Sequence, residues 1–306
     1  MSDSEQLPRV SVVVATRNRE ELLAQSLGAI LAQTYAGHIE VIVVYDRSEP
    51  VPAHELDRGN RVVRVMTNQR QAGLAGARNS GITASSGALV AFCDDDDLWR
   101  PEKLARQLDS MQAAGAAASV TGIAVHYEGI TIERVPDVAD ITVELLTSSR
   151  LTGSHPSSYL MTRRLVDEVG LVDESIPSGY GEDYDWLMRL TAVQPVHVVR
   201  EPLVDVLWHR GSFFTSRWDA MVASVDYLLQ KYPALRQDPV GLGRLEGQRA
   251  FALVAQGKRS AAARAARRAF RSNPREPRVY VTALVASGLV TAPWVMHQAN
   301  KRGRGI

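Results

Sequence analysis

The chain has one cysteine, no clean apolar run of membrane-spanning length and almost no net charge, and each shortage removes a class of protein. Cys93 stands alone in 306 residues; an internal disulfide framework is excluded and a reducing compartment fits. It lies in an apolar run, which makes it a packing residue before a reactive one. Met1 to Pro8 is polar and lacks the apolar core of a signal peptide. The nearest approach to a membrane span, Val279 to Met296, contains Gly288 and Pro293 and is followed by Lys301, Arg302 and Arg304. Two breakers and flanking cations suit an interfacial or packed helix better than a span. A formal charge of +1 gives no overall case for nucleic-acid binding. The expectation is a cytoplasmic protein whose C-terminal helices fit packing on the domain and peripheral contact at the inner face of a membrane equally.

What is present centres on Ala88-Leu89-Val90-Ala91-Phe92-Cys93-Asp94-Asp95-Asp96-Asp97-Leu98-Trp99. A short apolar run delivers four consecutive carboxylates to its C-terminal end. Adjacent like charges repel, and a divalent cation with hard oxygen ligands removes the repulsion. The same run also reads as a solvated acidic turn capping the helix that begins near Pro101.

Val10 to Ala15 is β-branched, as in a strand buried on both faces, and Glu20 to Gln33 carries Leu22, Leu23, Leu27, Ile30 and Leu31 at helical spacing. A second apolar run, Ile39 to Tyr45, ends in Asp46. Strand, helix, strand is a βαβ unit, which builds parallel sheets with ligand sites beyond the strand C-termini. Asp46 and Asp94 to Asp97 therefore fall on one edge. After a third strand, Arg61 to Met66, a glycine-punctuated loop with Gly73 and Gly76 runs into a helix carrying Arg78. It is neither a Walker A loop nor a dinucleotide fingerprint; it fits phosphate binding and a plain helix start equally. Arg78 suits a pyrophosphate or a carboxylate neighbour.

Pro101 to Ala114 reads as a helix and Ala116 to Tyr127 as a strand, whereas Thr131 to Arg150 has no clear pattern and reads as a surface excursion. Ser154 to Met161 leads into a strand, and Arg163 to Val169 is a short helix closed by Gly170. Glu182 and Asp183 follow a glycine pair at the start of a helix whose apolar face is Trp186, Leu187 and Leu190. Acids there serve as dipole partners and caps, or as a general base beside a cleft. From Trp218 the chain turns Ala-rich, basic and helical, with Arg264, Arg267, Arg268 and Arg271 in a stripe that fits a solvated face.

In this order, from Val10 to Ser212, the residues resemble the family-2 inverting glycosyltransferases of the GT-A fold: the first strand with Thr16-Arg17-Asn18-Arg19, then Asp46, Gly73, Ala77-Arg78-Asn79 and Gly81. Asp94 to Asp97, Gly170 to Glu174, Glu182-Asp183 and Trp208-His209 complete the set. The resemblance implies a mainly parallel α/β sheet flanked by helices over residues 1–214, with a helical extension over 215–306. It implies a nucleotide-diphosphate sugar donor held by Ala15, Thr16, Arg17, Arg19, Asp46, Gly73, Arg78, Asp94 and Asp95. Mn²⁺ or Mg²⁺ would be held by Asp96 with Asp94 and His209. Asp183 would be the base on an acceptor hydroxyl, with Glu182 beside it, and His155 and Trp186 would be acceptor contacts. Two positions depart from the family pattern: Arg17 replaces a common aromatic residue, and Arg47 follows Asp46 where Gly is frequent. A nucleotidyltransferase would want glycines after the first strand, which Thr16 to Arg19 lacks. A non-catalytic sugar-nucleotide-binding or scaffold relative is the other alternative.

Overall fold

The computed structural model describes residues 7–52, 55–149, 151, 153–208 and 217–302. The β-branched first segment forms β1 (Val10–Thr16), followed by α1 (Glu20–Leu31), β2 (Ile39–Tyr45), β3 (Leu56–Arg58) and β4 (Arg61–Thr67). The glycine-punctuated loop opens α2 (Leu74–Ala84), and β5 (Leu89–Phe92) leads to the carboxylates. Asp97 already belongs to β6 (Asp97–Trp99), before α3 (Lys103–Ala113) and β7 (Ala118–Tyr127). The patternless stretch resolves into β8 (Ile130–Arg134), β9 (Asp140–Ile141) and α4 (Val143–Ser148), a correction to its reading as a featureless excursion. Then come β10 (Leu160–Thr162), α5 (Arg163–Val169), α6 (Glu182–Val193) and β11 (Val196–Leu207).

Among the described residues these strands form one eleven-stranded sheet, ordered β3-β4-β2-β1-β5-β10-β7-β11-β6, with β8 on β7 and β9 on β11. Strands β4, β2, β1 and β5 run parallel. β10 is antiparallel to both β5 and β7, which leaves β7 parallel to β5. Every residue of β2 is buried, as a strand covered on both faces requires. β11 carries Pro202 at a register shift against β7, where a strand tolerates the missing N–H.

The tail is helical as its composition implied: α7 (Trp218–Lys231), α8 (Pro233–Gln237), α9 (Pro239–Ala255), α10 (Arg259–Ser272), α11 (Pro277–Ala286) and α12 (Ala292–Lys301). The apolar stretch Val279 to Met296 is divided between α11 and α12, with Gly288 at φ 83° between them. Among the described residues no helix is long and apolar enough to cross a membrane. Val225, Leu228 and Leu229 of α7, Leu235 of α8 and Leu245 of α9 join the same buried cluster as Val90 and Phe92 of β5. The extension therefore completes the core under α6.

Candidate active site

The site lies where β1, β2 and β5 end. Asp46, at the end of β2, is buried, and its Oδ1 accepts from Gly73 N at 3.0 Å and Asn68 Nδ2 at 2.9 Å. The carboxylate thereby closes the loop that precedes α2. Gly76 is needed here, because a Cβ would stand 1.8 Å from the Gln71 carbonyl oxygen. Glu174 braces the same loop from outside: it pairs with Arg70 and accepts from Asn79 Nδ2 at 2.7 Å and Gln71 N at 3.2 Å.

The four carboxylates are held in two pairs, Asp95 and Asp96 sharing Arg19, and Asp94 and Asp97 both facing His155. Asp95 is 5% exposed and accepts from Thr16 Oγ1 at 2.7 Å and Arg19 Nη1 at 3.1 Å. Expected among the donor-binding residues, it also fastens Thr16 and Arg19 at the end of β1. Burial raises its proton affinity, offset in part by the bonds from Thr16 and Arg19. The same Arg19 nitrogen lies 2.9 Å from Asp96 Oδ2. Asp94 receives Arg78 Nη2 at 2.6 Å. Burial pushes its carboxyl up, but Arg78 and His155 hold it below the ordinary value. Asp97 is 2% exposed, accepts from Ser157 Oγ at 2.6 Å, and faces His155 Nδ1 at 3.2 Å. Burial, then the neighbouring Asp94 and Asp96, push Asp97 well above the usual carboxylate range.

Arg78 is the pivot. It is 3% exposed, its guanidinium lies 5.3 Å over the Phe92 ring, and its two terminal nitrogens contact Asp94 of the carboxylate loop and Glu182 of α6. Of the two roles the sequence left open, the carboxylate neighbour is the one observed. Burial pushes Glu182 up to about 7, against the pull of Arg78 and with help from Asp183. Asp183 is half-buried in the first turn of α6, close enough for Arg78 to respond to its charge.

Arg17 is exposed and Ala15 half-buried at the end of β1. Trp186, expected at the acceptor, is 1% exposed. It packs 5.0 Å from Phe92 and donates its indole N–H to the Gly170 carbonyl at 3.0 Å, so the correction is that it belongs to the core, four residues along a helix whose inner face it occupies. His209 lies outside the described residues.

Asp94, Asp97 and His155 each offer an atom within 4.8 Å of the others, an arrangement that can hold a metal ion. Neither Asp97 nor His155 was read as a ligand. The signal was faint: His155 stands 58 residues after Asp97, and only the β5–β10 pairing brings its loop to the carboxylates. Two carboxylates and an imidazole are a donor set that suits Mn²⁺ and accommodates Mg²⁺. The mutual repulsion that raises Asp97 is what a cation would relieve.

The profile of glycosyl transferase family 2 matches residues 11–169, more than half of the chain. The chain belongs to this family. An uncharacterized glycosyltransferase of Bacillus subtilis, YwdF, is 26% identical over 243 residues, covering 78% of this chain and 86% of that one. The succinoglycan biosynthesis protein ExoO of Rhizobium meliloti is 29% identical over 247 residues, covering 74% and 70%. Among solved structures, S. aureus TarS 1–349 in complex with UDP-GlcNAc superposes with a TM-score of 0.59 at 14% identity, covering 97% of this chain and 92% of that one. The mannosyltransferase PcManGT of Pyrobaculum calidifontis, in complex with GDP-Man and Mn²⁺, gives 0.55 at 17% identity, covering 96% and 84%. These likenesses establish the GT-A fold, and family membership makes the chain a glycosyltransferase.

Proposed function

We infer that this glycosyltransferase moves a sugar from a nucleotide-diphosphate donor to an acceptor hydroxyl with inversion at the anomeric carbon. The observation that carries this reading is the Arg78 bridge. It ties Asp94, on the loop where a diphosphate and its cation are held, to Glu182, beside the base candidate Asp183. Donor and acceptor chemistry are thereby set on either side of one buried cation.

Arg17, Arg19 and the loop closed by Asp46 and Gly73 line the donor side. Asp94 with Asp97 and His155 would hold Mn²⁺ or Mg²⁺, with Asp96 and His209 the further ligands that the family resemblance implies. Such a cation would stabilise the negative charge that develops on the leaving diphosphate. Asp183, half-buried on a rigid helix, accepts the proton of the attacking hydroxyl. A single displacement then inverts the anomeric carbon without a covalent intermediate. Glu182, held by Arg78, keeps the start of α6 against the site.

The test is nucleotide release from a panel of UDP- and GDP-sugars with Mn²⁺ and with EDTA, together with the anomeric configuration of the transferred sugar. Metal-dependent release with inversion is expected. Retention of configuration, or release indifferent to EDTA, would overturn the reading.

A further inference from the structure

Charge in this chain is divided by position. Residues 257–306 hold eleven Lys and Arg against Glu276 alone, a formal +10, while the first 256 residues hold 24 against 33, a formal −9. The one acid does not offset the surface, because Glu276 is buried and paired with Arg278. Arg264, Arg267 and Arg271 are exposed along α10.

The same region exposes apolar side chains. Of the nine large hydrophobics exposed among the described residues, five are Phe270, Tyr280, Leu284, Leu289 and Trp294. On α11 and its C-cap the exposed positions are Pro277, Tyr280, Ala283, Leu284 and Ser287, and the last four have the i, i+3, i+4, i+7 spacing of one face. Leu289, at the turn into α12, is 74% exposed, and Trp294 in the first turn of α12 is 53% exposed.

Helix α12 has a defined place. His297 of α12 lies 3.2 Å from the Tyr127 hydroxyl at the end of β7. Leu160 pairs with Ala91 of β5 and Ser119 of β7, so the parallel β7 runs on past the level of Asp94. The extension is thus fastened to the sheet edge that carries the carboxylates.

We propose that the α10–α12 face docks on an anionic lipid surface, its arginines on the headgroups and Leu284, Leu289 and Trp294 at the acyl boundary. Cations with exposed Leu and Trp are the chemistry of an interfacial helix. A nucleic acid gives Leu289 no partner, and a symmetric second copy sets +10 against +10. Docking is independent of the transferase reading, since binding involves no sugar.

The test is cosedimentation of the full chain with phosphatidylcholine vesicles and with vesicles containing phosphatidylglycerol. Binding only to the anionic vesicles is expected, weakened about tenfold or more by Arg264→Glu with Arg267→Glu and Arg271→Glu. Leu289→Ser with Trp294→Ser, at positions mostly in solvent, should weaken it comparably without moving the melting temperature. Equal binding to neutral vesicles, no binding, or indifference to the Leu289 and Trp294 changes would overturn the proposal. So would tighter binding to duplex DNA at the same salt, or light scattering that reports a dimer dispersed by these substitutions.

Discussion

At the residue scale the account turns on buried charges whose partners are supplied by distant segments. Arg78 meets Asp94 and Glu182 through separate nitrogens of one planar fork. Lys has no such fork, so Arg78→Lys should fold yet lose transfer. Arg78→Met leaves the buried Glu182 and the half-buried Asp94 without their cation and should cost about 3–5 kcal/mol of stability, measured by denaturant unfolding. Lys103 is a buried charge with local partners instead, its amine 3.9 Å from the Trp99 ring and donating to Gln107 Oε1 at 2.9 Å. Burial lowers it from 10.5 to about 7, a trend that nearby Cys93 opposes. Between those values the unfolded chain binds the extra proton, so this group's penalty is full below pH 7 and fades as pH rises toward 10.5. Lys103→Met should therefore be the more stable protein at pH 7, with the difference shrinking toward pH 10. A constant difference would contradict the burial argument. Sequence marked Arg78 and the carboxylates because their residue types are conspicuous. It did not mark His155 and Asp97 as a pair, because only the fold makes them neighbours.

At the element scale, α2 sits against β1 through a glycine. A Cβ on Gly81 would lie 2.3 Å from Val13 Cγ1, so Gly81→Ala should overpack the interface and cost roughly 1–3 kcal/mol, read as a lower melting temperature. Gly76→Ala drives the helix start off the Gln71 carbonyl and should weaken donor binding about tenfold by opening the loop that Asp46 closes. The buried βαβ elements were legible because strands covered on both faces are written as unbroken apolar runs. Ile39 to Tyr45 emerges with the same bounds. By contrast β8 is a largely exposed edge hairpin partner and α4 is six residues long, too little apolar pattern to read. Asp97 counted as the last of a loop of acids, and its pairing with Val206 turns it into the first residue of a strand.

At the scale of the whole molecule, the helical extension is latched to α6 and to the segment before it by a shared polar cluster. Lys231 of α7 donates to Asp173 Oδ2 at 2.5 Å and lies 2.6 Å from Asp185 Oδ1 on α6, which also accepts from Tyr232 at 2.7 Å. Burial pushes Asp173 up, but Lys231 and Tyr227 outweigh it and hold the carboxyl at about 2. Its folded value lies below its unfolded one, so its contribution is present above about pH 4 and is lost as pH falls toward 2. Lys231→Met should destabilise at pH 7, and the gap to the unaltered protein should narrow over that acid range. The composition change at the tail was plain in the sequence. That its helices finish the core under α6 was not, since it depends on which face of α7 and α9 meets α6.

The most direct test of the central claim is calorimetric titration of the responding nucleotide sugar into the unaltered protein, Asp94→Asn and Asp183→Asn, each with and without Mn²⁺. Binding should be metal-dependent in the unaltered protein, weakened at least tenfold in Asp94→Asn, and within about threefold of the original in Asp183→Asn, whose turnover should fall by 10²–10⁴. Equal loss of donor binding in both variants, or metal-independent binding throughout, would contradict the division of one cleft into a cation-held donor side and a base on α6.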